Sequence, residues 1–339
     1  IEYIQALYNI FNEILVNAQD QVTRLRGSKD KGVQQVTDIK VCINEETGEI
    51  SVYNNGDGID VVEHPTVKKK GKPIFIPQMI FGELLTSTNY NKAEKKVVGG
   101  KNGYGAKLTN IFSTKFKIET VDFSRKKKYT QVFTDNMKKI HKPKITSFTG
   151  KPYTKITWTA DFNRFDIEMY SLDMMQLMKR RVHDIAGITD KSVSVYLNKK
   201  KLTIRNFVDY AKMYVSDVPV VNVELLDNEI PWKIAVSVSD TDKFEQVSFV
   251  NGIATPKGGK HVDHIAKQLT AGLKVLIKKK TKQDVNETYI KNYLRVFIDC
   301  LIVNPSFDSQ TKERLITTPS KFGSKPVLPD KFIKSIVDK

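Results

Sequence analysis

In the stretch FNEILVNAQD, Glu13 and Asn17 stand four residues apart, so a helix would carry them on one face. A carboxylate one turn before a neutral amide suits work on a phosphate. Glu13 could polarise a water for attack on phosphorus, and Asn17 offers an oxygen to a hard cation such as Mg²⁺. On an isolated helix, the same pair is ordinarily two solvent-facing polar residues. A second stretch, VVGGKNGYGAKLTNIFS, spaces Gly100, Gly103 and Gly105 as G-x-x-G-x-G, with Lys101 and Lys107 beside them, and leads into an apolar run. Glycines let the backbone approach a phosphate closely, and free N–H groups at a helix start bind anions. A flexible surface loop is the plainer alternative. No Gly-Lys-Ser or Gly-Lys-Thr occurs, which excludes a Walker A loop, and the dinucleotide spacing fails at Leu108. A third stretch, YNNGDGI, reads as a turn after a strand, or as a tight glycine turn that presents the Asn54 amide to a base edge.

These residues need elements to hold them. Ile4, Leu7, Phe11, Ile14, Leu15, Ala18, Val22 and Leu25 recur at helical spacing, which predicts one helix over 4–25 with Glu13 and Asn17 away from its apolar stripe. DIKVCINEETGEISVYNNGDGI predicts two strands about a turn, and IPQMIFGELL a short helix. Residues 86–105 form a long, polar, glycine-rich connection of the kind that serves as a lid, and a helix begins near Gly105. From 115 to 160 the residues alternate with period two, as strands of an antiparallel sheet do, and 171–187 is a helix. The first domain closes near residue 204. Beyond it the pattern gives a helix (IRNFVDYAKMYV), strands (PWKIAVSVS and FEQVSFVNG), a long helix (HVDHIAKQLTAGLKVLIKKK) and a strand (LRVFIDCLIVN). A strand, long helix and strand in that order predict a crossover unit.

The chain of 339 residues is long enough for two domains and carries 55 Lys+Arg against 38 Asp+Glu, a net charge of +17. That excess favours a polyanionic partner such as nucleic acid over a neutral one. Cys42 and Cys300 sit in no paired or metal-ligand spacing, which favours a reducing, intracellular compartment. No apolar run approaches a membrane span, and no signal peptide is present. The chain starts in helical rhythm without Met, as a fragment of a longer protein would.

An E-x-x-x-N helix, an N-x-G-x-G turn and a G-x-x-G-x-G lid, in that order, resemble the GHKL ATPases: DNA gyrase, the heat-shock chaperone, histidine kinases and mismatch-repair ATPases. The finer resemblance is to the ATPase region of eukaryotic-type type II DNA topoisomerases. IFNEILVNAQD, NNGDGIDVVEH, MIFGELLTSTNY, GGKNGYGAKLTNIFSTKF, RRVHDIAG, QVSFVNGIAT, GGKHVDH, NPSFDSQTKE and KFGS carry it, from residue 10 to 324. The resemblance implies an α+β protein: a GHKL (Bergerat) α/β sandwich over 1–204, then a transducer domain over 205–339 with a ribosomal-protein-S5-like β-α-β fold. It implies Glu13 as general base and Asn17 as the Mg²⁺ ligand. Asn54 and Gly58 fall at the adenine, where Asn replaces the Asp of many GHKL members. Ser87, Thr88 and Asn89 fall at the ribose and phosphates, with Thr88 where the branch more often has Ser. Gly100, Lys101, Asn102, Gly103, Tyr104, Gly105, Ala106 and Lys107 form the phosphate lid. Gln310 and Lys312 match a transducer loop that reaches the γ-phosphate, where a Lys supplies a point charge; without the other motifs, SFDSQTKE is a polar turn.

The implied activity is Mg²⁺-dependent ATP hydrolysis by the gate of an isomerase. ATP closes a homodimer around duplex DNA, normally in the nucleus, although an organellar or viral parent fits equally. The resemblance also implies that a fragment without the family's cleavage parts does not relax DNA by itself, and that loss of the N-terminal arm weakens dimerisation. Another GHKL ATPase of the chaperone or mismatch-repair type, and a non-enzymatic basic DNA-binding module, are the rival readings. Lys278, Lys279 and Lys280 fan too widely on a helix to face one DNA backbone together, but Lys267, Lys274 and Lys278 fall within about 40° at 100° per residue. That stripe is either an ordinary solvated face or, as the resemblance implies, the DNA-facing segment. Asp240 and Asp242 read as a turn, His261 and His264 as polar residues at a helix start, and the basic runs 67–72 and 125–128 as solvated loops.

Overall fold

The computed structural model describes residues 2–28, 30, 32–83 and 104–338. These fall into two compact units, one running to Thr203 and the other starting at Ile204.

The first unit begins with helix α1 (Gln5–Arg26), then strands β1 (Asp38–Ile43) and β2 (Glu49–Asn55). β3 (Glu63–Lys69) and β4 (Lys72–Phe75) form a separate two-stranded ribbon, followed by α2 (Ile76–Gly82) and α3 (Gly105–Ile111). Then come β5 (Ser113–Asp122), β6 (Lys127–Thr134), β7 (Lys139–Ile140), β8 (Lys144–Ser147), β9 (Tyr153–Ala160), α4 (Leu172–Ile188), β10 (Ser194–Leu197) and β11 (Lys200–Lys201). The main sheet runs β11-β10-β1-β2-β9-β5-β6-β7, with β8 also on β6, and β1 and β10 are parallel.

Alternation decides which face of that sheet is covered. Ile39, Val41, Ile50, Val52, Phe116, Ile118, Ile156 and Trp158 are buried, while their strand neighbours point the other way. The apolar stripe of α1 packs onto the buried face, with the Phe11 and Trp158 rings 6.5 Å apart. Each such side chain contributes about 1.5–3 kcal/mol on full burial. Ser171 starts α4 by accepting a hydrogen bond from the Met174 N–H. Arg181 on α4, itself buried, donates through Nε to Oδ1 of Asn12 at 2.7 Å and so fixes α1 against α4.

The second unit comprises α5 (Phe207–Lys212), β12 (Val221–Asp227), β13 (Ile230–Val238), β14 (Glu245–Val250), β15 (Ile253–Ala254), α6 (Lys260–Thr281), α7 (Glu287–Asn292), β16 (Leu294–Cys300) and α8 (Asp330–Asp338). Its sheet runs β12-β13-β16-β14-β15. β14 and β16 are parallel neighbours with α6 between them in sequence, the expected crossover. Trp232, Ile234, Val262, Ile265, Leu269, Val296 and Phe322 form the centre of its core.

Four expectations change. Residues 67–72 are not a loop but the end of β3, the start of β4 and the tight turn between them at Lys70 and Gly71, both with positive φ. Lys127 and Lys128 open β6, and Arg125 pairs with Asp122 and Asp60. The helix expected over 204–215 is only Phe207–Lys212. His261 is a core residue, 0% exposed, whose Nε2 lies 3.2 Å from Thr255 Oγ1. Asp240 does sit in a turn, paired with Arg295 at 2.5 Å.

Candidate active site

The site is organised along one face of α1 at i, i+4 and i+8. Glu13 is half-buried, and a Cβ built on Gly105, the first residue of α3, would overlap its Oε2 and lie 2.5 Å from its Cδ. Only a glycine admits so close an approach. The approach is fixed from both sides. Thr109 on α3 donates to the Ile10 carbonyl of α1 at 3.0 Å, and Asn110 donates to the Phe81 carbonyl of α2 at 3.0 Å. Asn17, one turn beyond Glu13, is exposed. Gln21, one turn further, donates through Nε2 to the Asp57 carbonyl at 3.0 Å and holds the glycine turn against the same helix.

That turn is also clamped to the sheet. A Cβ on Gly58 would overlap the Val121 carbonyl oxygen, so the backbone passes against β5 at van der Waals distance. The Ile59 N–H donates to Thr120 Oγ1 at 2.9 Å and the Val61 N–H to Asp122 Oδ2 at 2.8 Å. Burial of Asp122 opposes its charge, but the backbone N–H groups of Val61 and Arg125 and the Arg125 guanidinium outweigh it and hold the carboxyl below its ordinary range. Asn54 is 7% exposed, on the helix-facing side of β2 between Ile39 and Thr154, with Nδ2 donating to the Asn55 carbonyl at 2.9 Å. Thr154 and Thr120 meet beside it, hydroxyl to hydroxyl, at 2.9 Å.

Carboxylate, exposed amide, glycine turn and the end of the glycine-rich stretch thus meet around α1. Tyr104 is half-buried at the N-cap of α3 and Ala106 is buried. Lys107 departs from the expected displayed charge. It is 1% exposed, and burial lowers its pKa against the opposing pull of Glu83. Ser87, Thr88, Asn89, Gly100, Lys101, Asn102 and Gly103 lie outside the described residues. Sequence reasoning missed Gln21, Thr109, Thr120, Asp122 and Thr154. For Gln21 a signal existed, since it continues the i, i+4 row of Glu13 and Asn17.

In the second unit, Phe307 and Gly259 both bridge to Leu315 and close a loop over 308–314. Inside it the Lys312 N–H donates to the Ser309 carbonyl at 3.2 Å, and Lys312 has φ 60°. Gln310 is exposed and Lys312 half-buried. The loop is tied to the start of α6 by the Lys260 N–H on the Leu315 carbonyl (3.1 Å) and by an ion pair between Lys257 and Glu313 (2.7 Å). On α6, Lys267, Lys279 and Lys280 are exposed. Lys274 and Lys278 lie 3.6 and 3.4 Å from Asp284, and the hydrogen bond from Lys278 and the charges of both lysines hold its carboxyl below the ordinary range.

A family model described as DNA gyrase B matches residues 193–339. DNA topoisomerase 2 of Caenorhabditis elegans is 44% identical over 345 residues, covering 99% of this chain and 22% of its own length. DNA topoisomerase 2 of Acanthamoeba polyphaga mimivirus is 45% identical over 341 residues, covering 99% and 26%. The crystal structure of the ATPase region of Saccharomyces cerevisiae topoisomerase II superposes with a TM-score of 0.86 at 43% identity, covering 98% of this chain and 83% of that one. The chain belongs to the topoisomerase II ATPase-region family. The ATPase and transducer domains of topoisomerase II from Balamuthia mandrillaris match equally, with a TM-score of 0.87 at 42% identity over 99% of this chain and 83% of that one. The α+β architecture is that of these topoisomerase II structures, and the chaperone, mismatch-repair and non-enzymatic readings are not favoured. The chain spans about a quarter of the length of the two topoisomerase 2 relatives. Among the described residues, no helix is long and apolar enough to cross a membrane.

Proposed function

We propose that the chain binds and hydrolyses ATP as the gate of a type II DNA topoisomerase. The observation that carries this is the Glu13 carboxylate lying against Gly105, at the point where a glycine-rich segment becomes a helix. A water held beside Glu13 gives up a proton to that carboxylate as its oxygen attacks the γ-phosphorus. The bond from phosphorus to the β–γ bridging oxygen breaks, and ADP leaves with the electron pair. N–H groups at the start of α3 face the phosphates. Asn54 and Gly58 serve the adenine. Ser87, Thr88, Asn89 and the run from Gly100 to Lys107 enclose the ribose and phosphates, and Gln310 and Lys312 take the γ-phosphate as partner.

Glu13 and Asn17 offer hard oxygen donors one turn apart. Among the described residues, no three or more His, Cys, Asp and Glu gather as a metal group. Such a donor set suits Mg²⁺, which is commonly held by one or two side chains together with substrate phosphates. Bound there with Asn17 as ligand, Mg²⁺ would offset phosphate charge.

In the whole enzyme we assign ATP the closing of a homodimer around duplex DNA, with the α6 lysines facing that DNA. We assign the parent to the nucleus, with a viral parent the alternative that the mimivirus relative supports. The test is a thermal shift with Mg²⁺ and a non-hydrolysable ATP analogue, followed by turnover of Glu13→Ala. The variant should keep the shift and hydrolyse ATP about 10²–10⁴-fold more slowly. Absence of any shift in the wild-type chain overturns the reading, and near-normal turnover in the variant removes Glu13 from the chemistry.

A further inference from the structure

The face of the main sheet turned away from α1 carries a regular pattern. Strand register places Lys201, Tyr196, Lys40, Tyr53 and Lys155 on one rung across β11, β10, β1, β2 and β9. At about 4.8 Å per strand, the three lysines recur every ~10 Å along ~19 Å of surface. Lys40 and Lys201 are exposed and Lys155 half-buried. The Lys40 ammonium lies 5.2 Å from the Tyr53 ring centroid and 5.3 Å from that of Tyr196. Tyr53 in turn stacks on Tyr153 at 5.3 Å. Toward β5 the rung ends at Glu119, opposite Lys155, and Lys115 and Lys117 line a depression together with Lys155, Glu49 and Glu119. Acidic residues on this face are Asp38, Glu49 and Glu119, and Glu119 is engaged by Lys117 (3.1 Å) and Lys128 (3.5 Å).

We propose that this Lys–Tyr rung binds the phosphate backbone of duplex DNA, as a second site separate from the α6 stripe and independent of ATP. The two rings hold the central ammonium, that of Lys40, in place. A lysine braced between two tyrosines has already given up much of the freedom it would surrender on docking, so less entropy opposes binding. The same packing turns the ring faces toward lysines and toward each other rather than toward incoming bases. Recognition therefore runs through charge, and the duplex, with one negative charge per about 1.7 Å of axis, is the densest nucleic-acid partner for such a rung.

The test is fluorescence anisotropy of a 30-base-pair duplex against the whole chain over a salt series without nucleotide. The variants are a sheet triple (Lys40→Ala, Lys155→Ala, Lys201→Ala) and an α6 triple (Lys267→Ala, Lys274→Ala, Lys278→Ala). Each phosphate that is no longer neutralised lowers the log–log salt slope by about 0.9, so the sheet triple should lower it by about 2–3, in the wild-type and α6-triple backgrounds alike. ATP turnover of the sheet triple should equal wild type, which separates this site from the ATPase reading. An unchanged slope overturns the proposal, including when the triple merely melts earlier, because the lysines then only brace the rings. No duplex binding by the wild-type chain overturns it as well. So does tighter binding of a single strand of equal length that the sheet triple abolishes, because bases are then being read.

Discussion

The carboxylate of Glu13 occupies the space that a side chain on Gly105 would need. The relationship is local in space but joins residues separated by nearly half of the first unit's sequence. It exists because Thr109 anchors α3 to the Ile10 carbonyl, one turn before Glu13. The proposed base is therefore positioned by a helix whose own first residue has no Cβ.

Substituting Gly105→Ala should push that carboxylate off its position. A displacement of about 1 Å can cost 10²-fold in rate, so ATP turnover should fall by roughly that factor while the chain stays folded. A double-mutant cycle isolates the cause. With Glu13→Ala already present, Gly105→Ala should be neutral or stabilising by up to about 1 kcal/mol, since alanine suits a helix better than glycine. Denaturation of the four proteins reads this out. Equal effects of Gly105→Ala in both backgrounds would mean that the two residues do not interact.

Much of this arrangement was written in one-dimensional patterns. The stripe from Ile4 to Leu25 predicts α1 and hence the shared face of Glu13 and Asn17. The strand–helix–strand order predicts the parallel pairing of β14 with β16. What the pattern missed depends on partners distant in sequence. Gln21 continues the i, i+4 row of Glu13 and Asn17, but nothing in that row names its partner, the Asp57 carbonyl, and the bond from the Val61 N–H to Asp122 leaves no periodic trace at all. In the β3–β4 ribbon only Ile74 is buried, so it lacks the alternation that reveals a strand, and its lysines read as a loop. His261 looked like a polar residue at a helix start. Its burial follows from the first turn of α6 packing against Thr255, which composition cannot show.

Lys312 allows backbone and charge to be separated. Its φ of 60° is a conformation that costs a side-chain-bearing residue of order 1 kcal/mol and glycine almost nothing. Lys312→Gly relieves that cost but gives up the side chain's own contacts and frees the unfolded backbone, so stability should move by no more than about 1 kcal/mol in either direction, yet ATP turnover should slow because the ammonium is gone. A chain destabilised by several kcal/mol would show instead that the lysine holds the loop together. Turnover and chemical denaturation on the same preparation decide between the two.

His261 makes stability depend on pH in a defined window. Burial lowers its pKa from 6.5 to about 3, so between those values the unfolded chain holds a proton that the folded chain refuses. Stability is then fully present above about pH 6.5, and each pH unit below it removes about 1.4 kcal/mol until the folded histidine protonates near pH 3. His261→Gln removes this titration but keeps a polar side chain beside Thr255. Fluorescence of Trp232, in the core of the same unit, reports the transition cleanly in a Trp158→Phe background, because these are the two tryptophans of the chain. Between pH 6.5 and 5, the chain with His261 should lose about 2 kcal/mol more than the His261→Gln variant. Carboxylates that titrate in both proteins cancel in that difference. Parallel pH profiles for the two would mean that the ring accepts its proton within the fold, through a local opening at the start of α6.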